Sequence, residues 1–186
     1  MKEIRIHGRG GQGAVTAAQL LAISAFYDGK QSQAFPKFGV ERRGAPVEAY
    51  CRIDEKPINV RQQLYEPDML IVLDSSLFEA VDITKGLEEG GLIIANTNKD
   101  PEKLGIKSKF KVKTVDATMV ALKIIGADIV NTSMLGAFAA ATGLVNLKSI
   151  NKAIEEKFAG RKKIIEQNKE AVKNVYDRVK DGKKEA

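Results

Sequence analysis

Apolar residues follow two different spacings along the first two-thirds of the chain. Short apolar segments at residues 3–7, 69–73 and 92–95 predict β-strands, and the latter two lack polar alternation, which is typical of strands covered by helices on both faces. The alanine- and leucine-rich segment 12–27 has the pattern of a helix with a broad apolar face. Strand and helix patterns that alternate in this order favour an α/β fold with a mainly parallel sheet.

The remaining segments complete this architecture. Two further strands are predicted at residues 31–35 and 111–115, and a β-hairpin is predicted from residues 45–53 and 57–61, because the polar residues between them interrupt two alternating segments. Helices are predicted at 117–125, 131–143, 149–158 and 162–180. The expected fold is a single α/β domain: a mainly parallel sheet flanked by helices over residues 1–146, with a β-hairpin excursion, and a C-terminal helical cover over 147–186 packed on it.

Composition narrows the class of protein. The chain has 186 residues, 44% of them hydrophobic and 29% charged, which is typical of a globular domain. No apolar run approaches the roughly 18 residues of a spanning helix, and the N-terminal residues lack the apolar core of a signal peptide. We therefore expect a cytoplasmic protein with no membrane partner.

The net charge of +6 is concentrated at one end of the chain. Residues 147–186 hold 12 Lys and Arg against 7 Asp and Glu, a balance of +5, and the rest of the chain contributes +1. These basic residues are interleaved with acidic ones and few aromatic ones, a pattern typical of a solvated helix face. No nucleic-acid partner is expected.

A glycine-rich segment follows the first predicted strand. Gly8, Gly10 and Gly13 match G-x-G-x-x-G between a strand and a helix, where backbone N–H groups can hold phosphates, and Arg9 adds a cation. The same glycines could serve only a tight turn, so both interpretations stay open. A dinucleotide site also needs an acidic residue about 20 positions further on, at the end of a second strand. Only Asp28 is near that position, in an apparent turn, which argues against NAD or FAD.

A second candidate segment is FPKFGVERRGAPV, residues 35–47. Phe35 and Phe38 are possible apolar anchors, and Arg42 and Arg43 are possible bidentate donors to an anion or to a partner chain. A solvated turn is the alternative.

Two further observations concern ligands and metals. Asn96 and Thr97 follow a predicted strand, at the edge of the sheet where ligands usually bind, although ordinary helix capping is the alternative. One cysteine, Cys51, and one histidine, His7, are too few for a zinc site or an iron–sulfur cluster. No metal site is expected.

Several blocks together resemble a known family. GRGGQGAVTAAQLLA, QAFPKFGVERRGAPVEAYCRI, EPDMLIVLD, IIANT and NTSMLGAFAAATGL occur in this order between about residues 4 and 144. They are similar to the gamma subunits of 2-oxoacid:ferredoxin oxidoreductases, and FGVERRGAPV resembles the pyruvate type. In some organisms that gamma subunit is shared with the 2-oxoisovalerate enzyme.

The resemblance implies a non-catalytic subunit of a complex. Such a complex decarboxylates a 2-oxoacid on thiamine diphosphate with Mg, passes electrons through iron–sulfur clusters to ferredoxin and releases an acyl-CoA. Partner subunits would hold those cofactors, the isolated chain would be inactive, and it could self-associate through surfaces meant for its partners. The glycine loop, with Gly11, Gln12 and Ala14, would face coenzyme A, and Arg42 and Arg43 would contact CoA or a catalytic subunit.

Two alternatives remain at this stage. One is a gamma subunit of a 2-oxoisovalerate or 2-oxoglutarate:ferredoxin oxidoreductase. The other, of a different class, is a free-standing α/β nucleotide-binding protein that uses the glycine loop.

Overall fold

The first strand shows how the two faces of the sheet differ. In the computed structural model, which describes residues 1–37, 39 and 42–182, Ile4 and Ile6 of this strand are fully buried and belong to the main apolar core. Arg5 and His7 alternate with them and point to the opposite face. The predicted site residue Phe38 lies outside the described residues.

The elements occur in an order close to the predicted one. They are β1 (Lys2–Arg9), α1 (Ala14–Tyr27), β2 (Gln31–Pro36), β3 (Pro46–Asp54), β4 (Met69–Val72), α2 (Leu77–Ala80), β5 (Leu92–Asn96), a 3-10 helix (Pro101–Leu104), β6 (Lys111–Val115), α3 (Ala117–Ile124), α4 (Ser133–Thr142), α5 (Leu147–Lys157) and α6 (Lys162–Asp181).

The strands form one mixed sheet in the order β2-β3-β1-β4-β5-β6. β1, β4, β5 and β6 are parallel, whereas β3 runs antiparallel to both β1 and β2. The predicted α/β class with a mainly parallel sheet is confirmed. Across residues 1–37, 39 and 42–182, no helix combines the length and apolar character needed to cross a membrane.

The β-hairpin uses a different strand from the one predicted. β3 pairs with β2, with Gln31 opposite Asp54, and residues 57–61 form no strand. Arg52 is 1% exposed, and its guanidinium pairs with Glu3 (2.7 Å) and donates to the carbonyl oxygens of Val60 (3.3 Å) and Gln62 (2.8 Å). A buried charge needs such partners, so this segment lies across the face of the sheet instead of extending its edge.

Helices cover one face of the sheet. α1 packs there through small residues, Ala17, Ala18 and Ala25, all fully buried. α4 crosses α6 so closely that a Cβ at Gly136 would lie 2.1 Å from the carbonyl oxygen of Val172. Apolar residues of α5 and α6 belong to the same core as β1 and α1.

The opposite face has a thinner cover. Leu77 of α2, together with Ile83, Leu87 and Phe110 from loops, packs against β4 and β5. The short helix α2 and apolar loop residues thus exclude water from this face of the strands.

A buried polar pair lies on this second face. Arg5 Nε donates to His7 Nε2 at 2.9 Å, and Arg5 Nη2 donates to the carbonyl oxygens of Ile83 (2.8 Å) and Lys85 (2.7 Å). His7 is 3% exposed. Burial, and then the charge of Arg5, lower the pKa of His7 from 6.5 to about 4. His7 is therefore a neutral acceptor at neutral pH.

This pair predicts an acid-sensitive stability. Below pH 6.5 the unfolded chain takes up a proton that folded His7 does not, so the free energy of unfolding falls as the pH drops from 6.5 towards 4. The loss attributable to His7 is at most about 3 kcal/mol. Urea unfolding at several pH values measures it, and His7→Gln, which keeps an acceptor for Arg5, should flatten the dependence. Because the chain has one histidine, its NMR titration is unambiguous, and a midpoint near 6.5 would contradict the prediction.

Candidate functional site

The glycine loop joins β1 to α1 and needs glycine for its backbone shape. Gly11 has φ 98° and Gly13 has φ 76°, both in the left-handed region that other residues rarely adopt. α1 starts at Ala14 without a side-chain cap. The first N–H groups of the helix have no partner within it, and the positive end of the helix dipole lies at the same point. An anion would be stabilised there.

Gly10 has a different role from its neighbours. Its N–H donates to the carbonyl oxygen of Ala45 at 2.8 Å, and its own carbonyl accepts from the N–H of Gly44 at 3.0 Å. A Cβ at Gly10 would lie 2.2 Å from the carbonyl oxygen of Arg42. The Gly10 amide is thus already bonded within the protein, and glycine is needed because a second backbone lies against it.

The second backbone carries the arginine pair. Gly10 and Arg43 form a parallel β-bridge, and both Arg42 and Arg43 are exposed. The structure therefore brings the two segments singled out in the sequence side by side at the N-terminus of α1. Phe35 does not extend this group: its half-buried ring packs 5.3 Å from the Tyr50 ring, beneath the guanidinium of Arg52.

Arg9 points into a network of protein groups. Its Nη1 donates to the carbonyl oxygen of Gly44 at 3.0 Å, and its Nη2 donates to Ser76 Oγ at 2.7 Å. Arg9 Nε also lies 3.3 Å from Asp74 Oδ2. The charge expected to attract an anion is thus largely paired with a carboxylate.

Gln12 and Asp74 complete this network. Gln12 Oε1 accepts from the N–H of Arg9 at 2.8 Å, and Gln12 Nε2 donates to Asp74 Oδ2 at 3.0 Å. Sequence reasoning did not select Asp74 as a site residue. The available signal was its place at the end of an apolar strand, at the sheet edge where ligands usually bind.

Gly8 and Ala14 serve packing. A Cβ at Gly8 would lie 3.3 Å from Leu73 Cδ1 and 3.4 Å from the Cβ of Ala14, which is 2% exposed. Gly13 is also crowded, since its Cβ would lie 2.5 Å from Nδ2 of Asn131. Close packing of strand and helix is therefore one function of the glycines.

Asn96 and Thr97 line a cleft of about 310 Å³ at the carboxyl ends of β4, β5 and β6, which Gln12 and Asp74 also border. Asn96 is occupied in capping, because its Oδ1 accepts from the N–H groups of Ala117 (2.9 Å) and Thr118 (3.1 Å) and its Nδ2 donates to the carbonyl oxygen of Leu73 (2.9 Å). The lining is Gln12, Leu73, Asp74, Ser75, Asn96, Thr97, Asn98, Asp116, Thr118 and Asp128. Three carboxylates make this cleft unfavourable for phosphate.

Asp28 lies at the far end of α1 from the glycine loop. Its carboxylate accepts from the N–H and Nδ2 of Asn146 and from Ser149 Oγ, at the start of α5. A helix of 14 residues separates it from the loop by about 20 Å. Asp28 is thus a structural cap and is too distant for a ribose next to that loop.

The described residues do not fit a metal ion or an iron–sulfur cluster. In the stretches 1–37, 39 and 42–182, no three His, Cys, Asp or Glu side chains are grouped to hold a metal. Cys51 is fully buried in the core, and burial raises the pKa of its thiol, so it stays protonated.

Fold and site together define an α/β protein whose glycine loop, residues 8–13, meets the arginine segment, residues 42–45, at what we call the loop junction. A family model described as pyruvate ferredoxin/flavodoxin oxidoreductase matches residues 3–178. The chain belongs to this family.

Named relatives agree with this assignment. Pyruvate synthase subunit PorC of Methanosarcina barkeri is 60% identical over 154 residues, 83% of this chain and 85% of the relative. The common gamma subunit of the pyruvate/ketoisovalerate oxidoreductases of Pyrococcus furiosus is 54% identical over 181 residues, 96% of this chain and 97% of the relative. The crystal structure of pyruvate oxidoreductase subunit PORC from Thermotoga maritima has 42% identity and a TM-score of 0.81, with 95% of each chain covered.

The close approach at Gly10 predicts a local effect of substitution. Gly10→Ala should push the segment 42–45 away, because the added Cβ would meet the Arg42 carbonyl at 2.2 Å. The expected cost is about 1–3 kcal/mol of stability, with faster hydrogen exchange at the Gly44 amide by NMR. Gly39→Ala is the matched control, since a Cβ there meets nothing within 4 Å. Unchanged exchange at Gly44 in Gly10→Ala would contradict the packing described here.

Proposed function

We propose that this chain is the gamma subunit of a pyruvate-type 2-oxoacid:ferredoxin oxidoreductase and that its loop junction binds the phosphates of coenzyme A. The complex converts a 2-oxoacid and CoA to an acyl-CoA and CO₂ and reduces ferredoxin. The observation that supports the CoA assignment is the pairing of the glycine loop with the arginine segment through Gly10 and Arg43.

The junction has the chemistry that a phosphate requires. The uncapped N-terminus of α1 offers backbone N–H groups, and the exposed Arg42 and Arg43 offer guanidinium groups that bind phosphate oxygens in pairs. The Asp74 carboxylate is turned towards Arg9 and Gln12. We therefore assign the phosphates to the arginine side of the glycine loop and not to the acidic cleft that contains Asn96 and Thr97.

The chemistry of the reaction is assigned to partner subunits. Thiamine diphosphate with Mg and the iron–sulfur clusters would be held there, since the described residues of this chain fit neither a metal nor a cluster. Catalytic residues are accordingly assigned to none of its side chains. The isolated chain should be inactive, and the complex is assigned to the cytoplasm.

The relatives' names favour pyruvate as the 2-oxoacid, and one of them is shared with a ketoisovalerate enzyme. Because the thiamine-bearing subunits would contact the 2-oxoacid, this chain would be compatible with both acids. A free-standing nucleotide-binding protein is less well supported, since Asp28 is engaged at the opposite end of α1.

The CoA assignment predicts a specific kinetic effect of Arg43→Ala. In the assembled complex, the KM for CoA should rise about ten-fold, as expected for one charge-assisted hydrogen bond, with kcat at saturating CoA little changed. Arg43→Lys keeps the charge without the paired donors, so its KM for CoA should lie between those of the wild type and Arg43→Ala. Arg61→Ala is the control, because Arg61 is equally a charged, exposed residue and lies after β3, outside the junction.

The reduction of clusters by the 2-oxoacid before CoA enters should persist in Arg43→Ala. A KM for CoA equal to that of the wild type in a fully assembled Arg43→Ala complex would remove Arg43 from the CoA site.

The subunit assignment predicts co-purification. When the native protein is isolated through a tag on this chain, thiamine- and cluster-bearing partners should accompany it, and the preparation should absorb light as iron–sulfur proteins do. Size-exclusion chromatography with mass spectrometry identifies the partners. A lone, colourless chain from cells that make the whole complex would overturn the assignment.

A further inference from the structure

We propose that Asp74 is a positioning residue that, through Arg9 and Gln12, holds the glycine loop and the arginine segment in one arrangement for CoA. The expected effect of Asp74 on CoA binding rests on the proposed function. Its expected effect on the arrangement of the two loops does not. We call Arg9, Gln12, Asp74 and Ser76 the clamp.

The clamp joins three loops that are distant from one another in the sequence. Arg9 and Gln12 belong to the glycine loop, Asp74 and Ser76 follow β4, and Arg9 Nη1 reaches the carbonyl oxygen of Gly44 in the arginine segment. Without the Arg9 side chain, the arginine segment would be held by the two backbone bonds of Gly10 and by its continuation into β3, where Pro46 lies opposite Arg9. A loop with fewer contacts has more conformations to lose on binding a ligand, so its affinity is lower.

Asp74 is the acceptor that orients the clamp. Its Oδ1 accepts from the N–H (3.0 Å) and Oγ (2.6 Å) of Ser76, and its Oδ2 accepts from Gln12 Nε2 and faces Arg9 Nε. Burial by itself would raise the pKa of Asp74, but the hydrogen bonds from Ser76 and Gln12 and the charge of Arg9 outweigh it and hold the pKa below its ordinary value. Asp74 is therefore an ionised group that only accepts.

An amide cannot replace this carboxylate. Gln12 is held in one orientation because its Oε1 already accepts from the N–H of Arg9, so its Nε2 must face an acceptor. In Asp74→Asn, one side of the new amide is an NH₂ group that would face either Gln12 Nε2 or the N–H of Ser76. One donor must lose its partner in either orientation, and the pairing of Arg9 weakens at the same time.

The chain offers a matched control. Asp82 Oδ1 accepts from the N–H (3.1 Å) and Oγ1 (2.8 Å) of Thr84, the same local turn that Asp74 makes with Ser76. Its hydrogen bonds do not involve the glycine loop. Asp82→Asn therefore perturbs an equivalent turn while it leaves the clamp intact.

The first test needs no ligand. In the full-length chain, trypsin should cleave after Arg42 and Arg43 at least ten times faster in Asp74→Asn than in the wild type. Asp82→Asn should be cleaved at the wild-type rate, and mass spectrometry measures the rates. Cleavage after Arg61, an exposed site outside the clamp, serves as the internal reference and should be unchanged. Ser76→Ala removes the exposed hydroxyl that accepts from Arg9 and donates to Asp74 but leaves the carboxylate in place, so it should give a smaller effect in the same direction. Equal cleavage rates in Asp74→Asn, Ser76→Ala and the wild type would overturn the clamp.

The second test uses the assembled complex. Asp74→Asn should raise the KM for CoA several-fold with kcat nearly unchanged, and it should add little when Arg43→Ala is already present, because both act through the same segment. Fully additive effects would overturn the role of Asp74 in CoA binding. If Arg43→Ala itself leaves the KM unchanged, the proposed CoA site fails, whereas the proteolysis result still decides whether the clamp exists.

Discussion

The candidate site depends on one close approach of two backbones. Gly10, the residue after β1, lies so near the segment 42–45 that only a hydrogen atom fits between the two backbones. Two backbone hydrogen bonds hold the contact, and they place Arg42 and Arg43 beside the uncapped end of α1. A side chain at Gly10 would separate a helix N-terminus from the two cations next to it. The glycine at this position is therefore a requirement of packing.

Charge divides the carboxyl edge of the sheet into two regions. Asp74, Asp116 and Asp128 line the cleft over β4, β5 and β6, where a ligand of an α/β protein would usually be sought. The opposite side of the glycine loop carries exposed arginines. Arg9 lies between the two regions and is paired with Asp74, so its charge stabilises the loop. This division explains why Asn96 and Thr97, although they lie at the expected edge, act as structural caps or liners.

The local pattern predicted most elements correctly. The strand at Lys111–Val115 has the predicted bounds, and α1 starts two residues later than expected because Gly13 adopts a left-handed conformation. The prediction of the second hairpin strand was wrong, since two segments alternate equally well; β2 pairs with β3, and the carbonyls of Val60 and Gln62 accept from buried Arg52 instead. In the same way, Arg9 was expected to face an anion, but the pattern contains no information on the Asp74 that neutralises it.

The sequence by itself determined the class of fold, the turn from β1 into α1 and the poverty of redox and metal ligands, because these follow from periodicity, glycine content and residue counts. Tertiary structure alone decided which distant segments meet: β2 with β3, Gly10 with Gly44 and Ala45, and Arg9 with Asp74. The physical reason is that each of these contacts satisfies a buried or strained group with a partner far along the chain. Local propensity does not indicate which distant partner a group will have, because that partner depends on how the whole sheet assembles.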